Sequence, residues 1–273
     1  MKANKSLAKD FFKKEVEDYK KEFYESGYRT FMSIRLERFL EEIEDMGLST
    51  EIECLDAGCG PGYLTYALAK KSYNVTALDS SPEMLRLTKA LLDSEAGDVI
   101  NSVKLTDGDI ENLIFGNSSF DLVASAGVLE YLPTDHRILS EFYRVLRPGG
   151  YMILSSTNKI SPAGYLDPIV EIIKRNKFSR YICNWFLSIL GGTPVRARNF
   201  SVRKHTKGQL VNNVNLTGFK VIKVGYFYAL PFPHPFDRIF PATSNKLGVK
   251  LEKLKETVFA SLFEGIYVVA IKN

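Results

Sequence analysis

A chain of 273 residues with 45% apolar side chains can build one large core, as a single domain or a domain with insertions, and lies far from the composition of disordered proteins. No run of 18 apolar residues occurs, which excludes a membrane-spanning helix of ordinary composition. The net charge of +4 conceals a segregation: residues 159–225 carry 12 basic and 2 acidic side chains, against 10 and 13 over residues 1–55 and 8 and 13 over residues 56–158.

The stretch Met1-Lys2-Ala3-Asn4-Lys5 opens into a charged amphipathic pattern, not an apolar signal segment. Phe12, Val16, Tyr19 and Phe23 recur at helical spacing, as do Met32, Leu36, Phe39, Leu40 and Ile43. Two amphipathic helices are therefore expected, the first broken by Gly27 and the second ended by Gly47. Strand patterns at 52–56, 74–79, 103–107, 121–125 and 151–156 then alternate with helical patterns at 63–71, 82–92 and 135–146, which argues for a parallel, doubly wound sheet. Ser81 and Pro82 mark a helix start, and Arg147-Pro148-Gly149-Gly150 reads as a helix stop followed by a turn.

After residue 158 the alternation lapses. Leu166, Ile169, Val170 and Ile173 share one helical face, and Tyr181, Ile182, Trp185, Phe186, Ile189 and Leu190 form a second stripe closed by Gly191-Gly192-Thr193-Pro194. The pattern resumes with a helix over Thr206–Asn215 and a strand over Lys220–Tyr226. Four prolines, Pro231, Pro233, Pro235 and Pro241, predict loop over 229–245, before a helix at about 247–263 and a last strand over Gly265–Ile271. Cys54, Cys59 and Cys183 have no metal-ligand spacing and read as reduced thiols of a cytoplasmic protein, with no metal expected.

The most informative stretch is Glu53-Cys54-Leu55-Asp56-Ala57-Gly58-Cys59-Gly60-Pro61-Gly62. An apolar strand ending in an acid runs into a loop of closely spaced glycines, where no Cβ bars a ligand from the backbone. Dinucleotide-binding loops usually read G-x-G-x-x-G and hold a diphosphate at the N-terminus of the next helix. Here the spacing is G-x-G-x-G with Pro61 between the last two glycines. Asp56, two residues before the first glycine, would repel a diphosphate but suits a ligand carrying an ammonium group. On these residues the chain resembles the class I S-adenosylmethionine-dependent methyltransferases, whose first motif is commonly written D-x-G-C-G-x-G. Asp56 through Gly62 fits that pattern at every fixed position.

The resemblance implies a single α/β domain over residues 1–273, with a doubly wound, seven-stranded, mostly parallel sheet of the Rossmann-like methyltransferase fold. Its last strand would lie antiparallel beside the sixth. N-terminal helices would occupy 1–47, a cofactor-binding core 48–158, a helical cap inserted after strand five 159–204, and completion of the sheet 205–273, with a second insertion at 227–264. The run Phe120 to Gly150, with Glu141-x-x-Arg144-Val145-Leu146-Arg147-Pro148-Gly149-Gly150, is also similar to the enzymes of ubiquinone and menaquinone biosynthesis, and recurs in enzymes acting on sterols, sugars and other metabolites.

The resemblance further implies S-adenosyl-L-methionine as cofactor, held by Asp56, Gly58, Cys59, Gly60 and Gly62. Asp79, 21 residues beyond Gly58, ends the second strand with Ser80 beside it, where an acid accepts from both ribose hydroxyls; a helix-capping acid is the competing reading. Asp109 and Ile110 match the positions that meet the adenine amino group and ring, with Asp107 competing for the acid role. Ser125, Ala126 and Gly127 are expected at the carboxyl end of the fourth strand beside the crevice. The family often carries a histidine within the segment Leu129-Glu130-Tyr131-Leu132; Tyr131 stands there instead, to orient a substrate oxygen or to pack. A hydroxyl on the N-terminal helices, Tyr19 or Tyr24, would bind the cofactor carboxylate, with core packing as the alternative. Of three histidines, His205 and His234 are candidate bases and His136 reads as solvated.

The function expected is methyl transfer to a small molecule, oxygen first among acceptor atoms. The rival classes are a non-catalytic S-adenosylmethionine-binding scaffold and a nicotinamide-dependent oxidoreductase. The basic stretch has three readings: a solvated surface, a lid attracting an anionic substrate, or a cap touching an anionic membrane surface. Arg196, Arg198, Arg203 and Lys204 cluster where that lid would rejoin the core, and no nucleic-acid module accompanies the charge.

Overall fold

The computed structural model describes residues 5–7, 9–11, 29–95, 102–162, 176–189, 200, 202–230 and 241–273. Residues 5–7 and 9–11 are helical; the rest of the first expected helix, the stripe from Leu166 to Ile173 and the proline-rich residues 231–240 lie outside the described residues. Helix α1 (Phe31–Asp45) opens on a capping box: the Thr30 side chain accepts from the Ser33 N–H, and the Ser33 side chain from the Thr30 N–H. Then come β1 (Glu53–Ala57), α2 (Tyr63–Ala69), β2 (Asn74–Asp79), α3 (Pro82–Glu95), β3 (Val103–Asp107), β4 (Phe120–Ala126), α4 (His136–Val145) and β5 (Leu146–Thr157). They are followed by α5 (Lys177–Ile189), α6 (Lys207–Leu216), β6 (Phe219–Phe227), α7 (Pro241–Leu251) and β7 (Gly265–Lys272).

Among the described residues seven strands form one sheet in the order β3-β2-β1-β4-β5-β7-β6. β1 to β5 pair in parallel, and β7 lies antiparallel between β5 and β6. Alternate strand residues feed opposite faces. Leu55, Val123, Met152 and Val268 pack with Ile138 and Phe142 of α4 and Leu210 and Val214 of α6. Cys54, Leu122, Ile153 and Val269 pack with Phe39 and Ile43 of α1 and Leu64 and Leu68 of α2. Burial on both faces is why the central strands read as continuous apolar runs.

Three boundaries differ from expectation. Helix α4 stops at Val145, but Arg147–Gly150 is no separate turn: it is a bulge inside β5, where pairing jumps from Phe120↔Leu146 to Leu122↔Tyr151. Helix α7 begins at Pro241, inside the expected loop, because proline has no N–H to lose at a first helical position. The helix expected to reach residue 263 ends at Leu251 and continues as short 3-10 turns, Glu252–Leu254 and Val258–Leu262.

Candidate functional site

Strand order reverses between β1 and β4, the place where doubly wound sheets take ligands outside the carboxyl ends of their strands. A cavity of about 780 Å³ lies there, walled by the β1–α2 loop, Asp79, Ile110, Ala126, Tyr131 and α1, large enough for a nucleoside with room beside it. Gly58, Gly60 and Gly62 all adopt left-handed φ, +82°, +54° and +87°. A Cβ on Gly58 would lie 2.4 Å from the Val128 side chain, and one on Gly62 2.5 Å from that of Thr88. These two glycines therefore let the loop press against its neighbours; Gly62, expected to hold the cofactor, does not line the cavity. A Cβ on Gly60 would meet nothing within 4 Å, and Gly60 lines the cavity.

The loop spends its amides internally. Gly58 and Cys59 donate to the Leu78 carbonyl at 2.7 and 3.0 Å, Gly62 to the Cys59 carbonyl at 3.1 Å, and Gly60 to Asp79 Oδ2 at 2.9 Å. Pro61 has no N–H to give. A diphosphate cradle requires such amides turned toward the ligand, so this loop is not one. It presents bare backbone beside two carboxylates.

Asp56 is almost wholly buried and its Oδ2 accepts from Thr65 Oγ1 at 2.6 Å. Burial raises its pKa to about 7, helped by the charge of Asp79 and opposed by the Thr65 hydrogen bonds and by Arg35. Asp79 accepts from Gly60 N–H and, at 2.9 Å, from Ser81 N–H; burial pushes its pKa up against these bonds. It is thus both the turn acid and a cavity wall. Ser80, Asp107, Ile110 and Ala126 line the cavity. So does Cys59, whose thiol burial pushes well above the ordinary range.

Asp109 also lines the cavity, but Lys5 Nζ reaches its two oxygens at 2.7 and 2.9 Å and the Glu111 N–H adds a bond at 2.9 Å. Partial burial works to raise its pKa, but the Lys5 and Glu111 bonds outweigh it and hold the carboxyl below its usual value. Ser125 is a correction: it does not line the cavity, and its buried hydroxyl donates to the Ala57 carbonyl at 2.9 Å, tying β4 to β1.

Tyr131 lines the cavity, its ring edge-on to Phe200 with centroids 5.8 Å apart. His205 is a second correction: it is away from the cavity and 3% exposed. Its Nδ1 lies 2.7 Å from Ser156 Oγ, and its Nε2 lies 2.9 Å from Asp135 Oδ2. Asp135 also accepts from Arg203 at 2.6 Å and Asn213 at 2.7 Å. The order serine–histidine–aspartate resembles a nucleophilic triad, but none of the three borders the cavity. They clamp the segment of Arg203 and His205 onto β5 and the start of α4. His136 is exposed, as read. Tyr19, Tyr24, His234, Arg196 and Arg198 lie outside the described residues.

Sequence reasoning missed Arg35. It sits on the buried stripe of α1 between Met32 and Phe39, 5% exposed, and borders the cavity. Its Nη2 donates to Met32 Sδ at 2.9 Å, and a Cβ on Gly127 would fall 1.8 Å from its Nη1, so glycine at 127 makes room for the guanidinium. The signal was legible: an arginine at an apolar position of an amphipathic helix. Lys5 and Lys9 also border the cavity, and their helix carried no comparable mark.

A family model described as "Methyltransferase domain" matches residues 55–154. Over these residues the chain is similar to a methyltransferase domain. The 2-methyl-6-phytyl-1,4-hydroquinone methyltransferase 2, chloroplastic, of Oryza sativa subsp. japonica is 38% identical to it over 104 residues, 37% of this chain and 28% of that protein. The ubiquinone biosynthesis O-methyltransferase of Psychrobacter arcticus is 31% identical over 131 residues, 48% of this chain and 49% of the relative. The chain thus spans half or less of the curated relatives named here. In fold, magnesium protoporphyrin IX methyltransferase from Synechocystis PCC 6803, solved with bound SAH, superimposes with a TM-score of 0.60 at 16% identity, over 99% of this chain and all of the other. The match to the methyltransferase domain runs from within β1 to within β5 and includes every residue of the glycine loop, while residues 1–54 and 155–273 lie outside it.

Proposed function

We propose that this chain transfers a methyl group from S-adenosyl-L-methionine to a small-molecule acceptor, with oxygen as the acceptor atom. The observation that carries the reading is the glycine loop whose amides are consumed within the protein while Asp56 and Asp79 face the same cavity. That combination rejects a diphosphate and welcomes a cation. It favours the reading over a nicotinamide-dependent oxidoreductase. When bound, the sulfonium supplies an electrophilic methyl carbon. Asp79 would take the ribose hydroxyls, Ile110 would pack on the adenine ring, Asp109 and Lys5 would meet the ring's edge, and Asp56 would face the ammonium group. Arg35 would pair with the carboxylate. These residues would hold the donor beside an acceptor near Tyr131, and positioning of this kind lowers a bimolecular barrier by up to about 7–11 kcal/mol. The hydroquinone and ubiquinone names of two relatives support an oxygen or ring carbon of an aromatic molecule as the acceptor atom. Free Cys54, Cys59 and Cys183 suit a reducing, cytoplasmic setting.

The test is transfer of labelled methyl from S-adenosylmethionine to a panel of phenols, hydroquinones and carboxylic acids. Binding without transfer to any of them would favour the scaffold reading. Asp79→Ala should weaken binding of S-adenosylhomocysteine by roughly 1–3 kcal/mol; unchanged affinity by calorimetry would refute the ribose assignment.

A further inference from the structure

Helix α5 is seated the wrong way round for a surface helix. Phe178, Tyr181, Ile182, Trp185, Phe186 and Ile189 recur at i, i+3, i+4, i+7, i+8 and i+11, and all face out, with exposures of 71%, 71%, 41%, 54%, 56% and 62%. Leu187 is the buried side chain of the helix, and the polar Ser179 and Asn184 are half-buried beside it. An amphipathic helix ordinarily turns its apolar stripe to the core. Here the stripe is turned outward, and a soluble monomer rarely exposes so large a contiguous apolar face without a partner.

We infer that α5 docks this protein on an anionic lipid bilayer. The stripe is aromatic and aliphatic, with tryptophan and tyrosine, the residues that settle at the headgroup boundary. Its charge suits an anionic leaflet: α5 contains Lys177 and Arg180 and no acid, and along the sequence it lies in a stretch, residues 159–225, with 12 basic and 2 acidic side chains. A second copy of the chain would bring two such basic stretches together, so charge disfavours a homodimer as the cover. With 13 residues, α5 lies along a membrane and does not cross it, and no described helix is long and apolar enough to cross one. A second exposed apolar group, Val258, Phe259 and Leu262, lies on the 3-10 turn joined to the root of the cap, where Asn158 Nδ2 donates to the carbonyls of Ser261 at 2.8 Å and Phe263 at 2.7 Å. The inference does not depend on the methyl-transfer reading.

Trp185 is the only tryptophan in the chain, so its emission reports on α5 alone. Full-length protein is mixed with vesicles of phosphatidylcholine containing phosphatidylglycerol, or of phosphatidylcholine only. We expect a blue shift of Trp185 with the anionic vesicles, quenching by brominated acyl chains, and roughly tenfold weaker binding on neutral vesicles or at high salt. Phe178→Ser combined with Phe186→Ser should weaken binding by roughly tenfold or more. If that variant loses its far-ultraviolet circular dichroism, Ile189→Asp, which alters one exposed side chain, replaces it with the same expectation. No spectral shift, sedimentation with vesicles but without the shift, or binding unchanged in these variants would overturn the inference. So would a blue shift in the absence of lipid that grows with protein concentration and a doubled mass by light scattering, which would assign the face to a second copy.

Discussion

Gly58→Ala and Gly60→Ala should behave differently although both glycines are left-handed. At Gly58 the new methyl falls 2.4 Å from Val128, so the loops after β1 and β4 must part, and we expect a loss of more than about 2 kcal/mol in urea unfolding. At Gly60 the methyl meets no protein atom within 4 Å, leaving the left-handed backbone cost of about 1–2 kcal/mol; the larger effect should be on S-adenosylhomocysteine affinity, because the added carbon enters the cavity. Asp56 offers a pH test. Its carboxyl titrates near 3.8 in the unfolded chain and at about 7 when folded. The folded state therefore holds the proton longer. The stabilisation from this group is complete below pH 3.8, declines as pH rises, and is gone above about pH 7. Asp56→Asn should flatten the stability curve across that window, measured as the difference from the parent protein in urea midpoints. A cationic ligand favours the ionised carboxylate, so binding between about pH 5 and 7 should release a proton in the parent and none from this site in Asp56→Asn. Calorimetry in buffers of different ionisation enthalpy reads that proton directly.

The strands and helices of the core were legible because each carried its own boundary chemistry. β2 and β3 occupy the expected residues, and Ser81-Pro82 opens α3 where a capping hydroxyl and a fixed φ belong. The bulge in β5 was not legible, because Arg-Pro-Gly-Gly looks the same whether it ends a helix or kinks a strand; only pairing with β4 decides. The placement of His205 away from the cavity was not legible for a related reason. A sequence gives a histidine its position along the chain but not the acid across the fold, and Asp135 lies 70 residues away. From its place in the clamp, His205→Asn should cost roughly 1–3 kcal/mol of stability by removing the buried partner of Ser156 and one of the three partners of Asp135, while kcat for methyl transfer stays near the parent value below the melting range. A large fall in kcat without loss of stability would restore His205 to the chemistry.

At the scale of the molecule, the parallel core followed from the strand–helix alternation and the antiparallel last strand from the family resemblance, but the seat of α5 did not. Periodicity locates an apolar stripe without saying whether it turns to the core or to the surroundings. The same limit concealed how α1 links two ends of the protein. One part of α1, with Met32, Arg35, Leu36 and Phe39, walls the cavity. Further along, Glu42 is 4% exposed and accepts from the Tyr267 hydroxyl on β7 at 2.6 Å and from Lys223 on β6 at 2.7 Å. Burial and the Glu42 carboxylate push the Tyr267 pKa far up, so this hydroxyl remains a donor across the working range. Tyr267→Phe keeps the ring and removes one partner of a buried charge, which should cost roughly 1.5–3 kcal/mol. Lys223→Ala removes a lysine whose side chain is 48% exposed and should cost less than about 1 kcal/mol. Because α1 is one rigid rod, loosening it at β7 should also loosen the cavity wall. Hydrogen exchange of the α1 amides should quicken in Tyr267→Phe, and affinity for S-adenosylhomocysteine should fall together with stability. If exchange and affinity both stay at the parent values while the melting temperature drops, burial of Phe39 and Ile43 holds α1 by itself and the two ends are uncoupled.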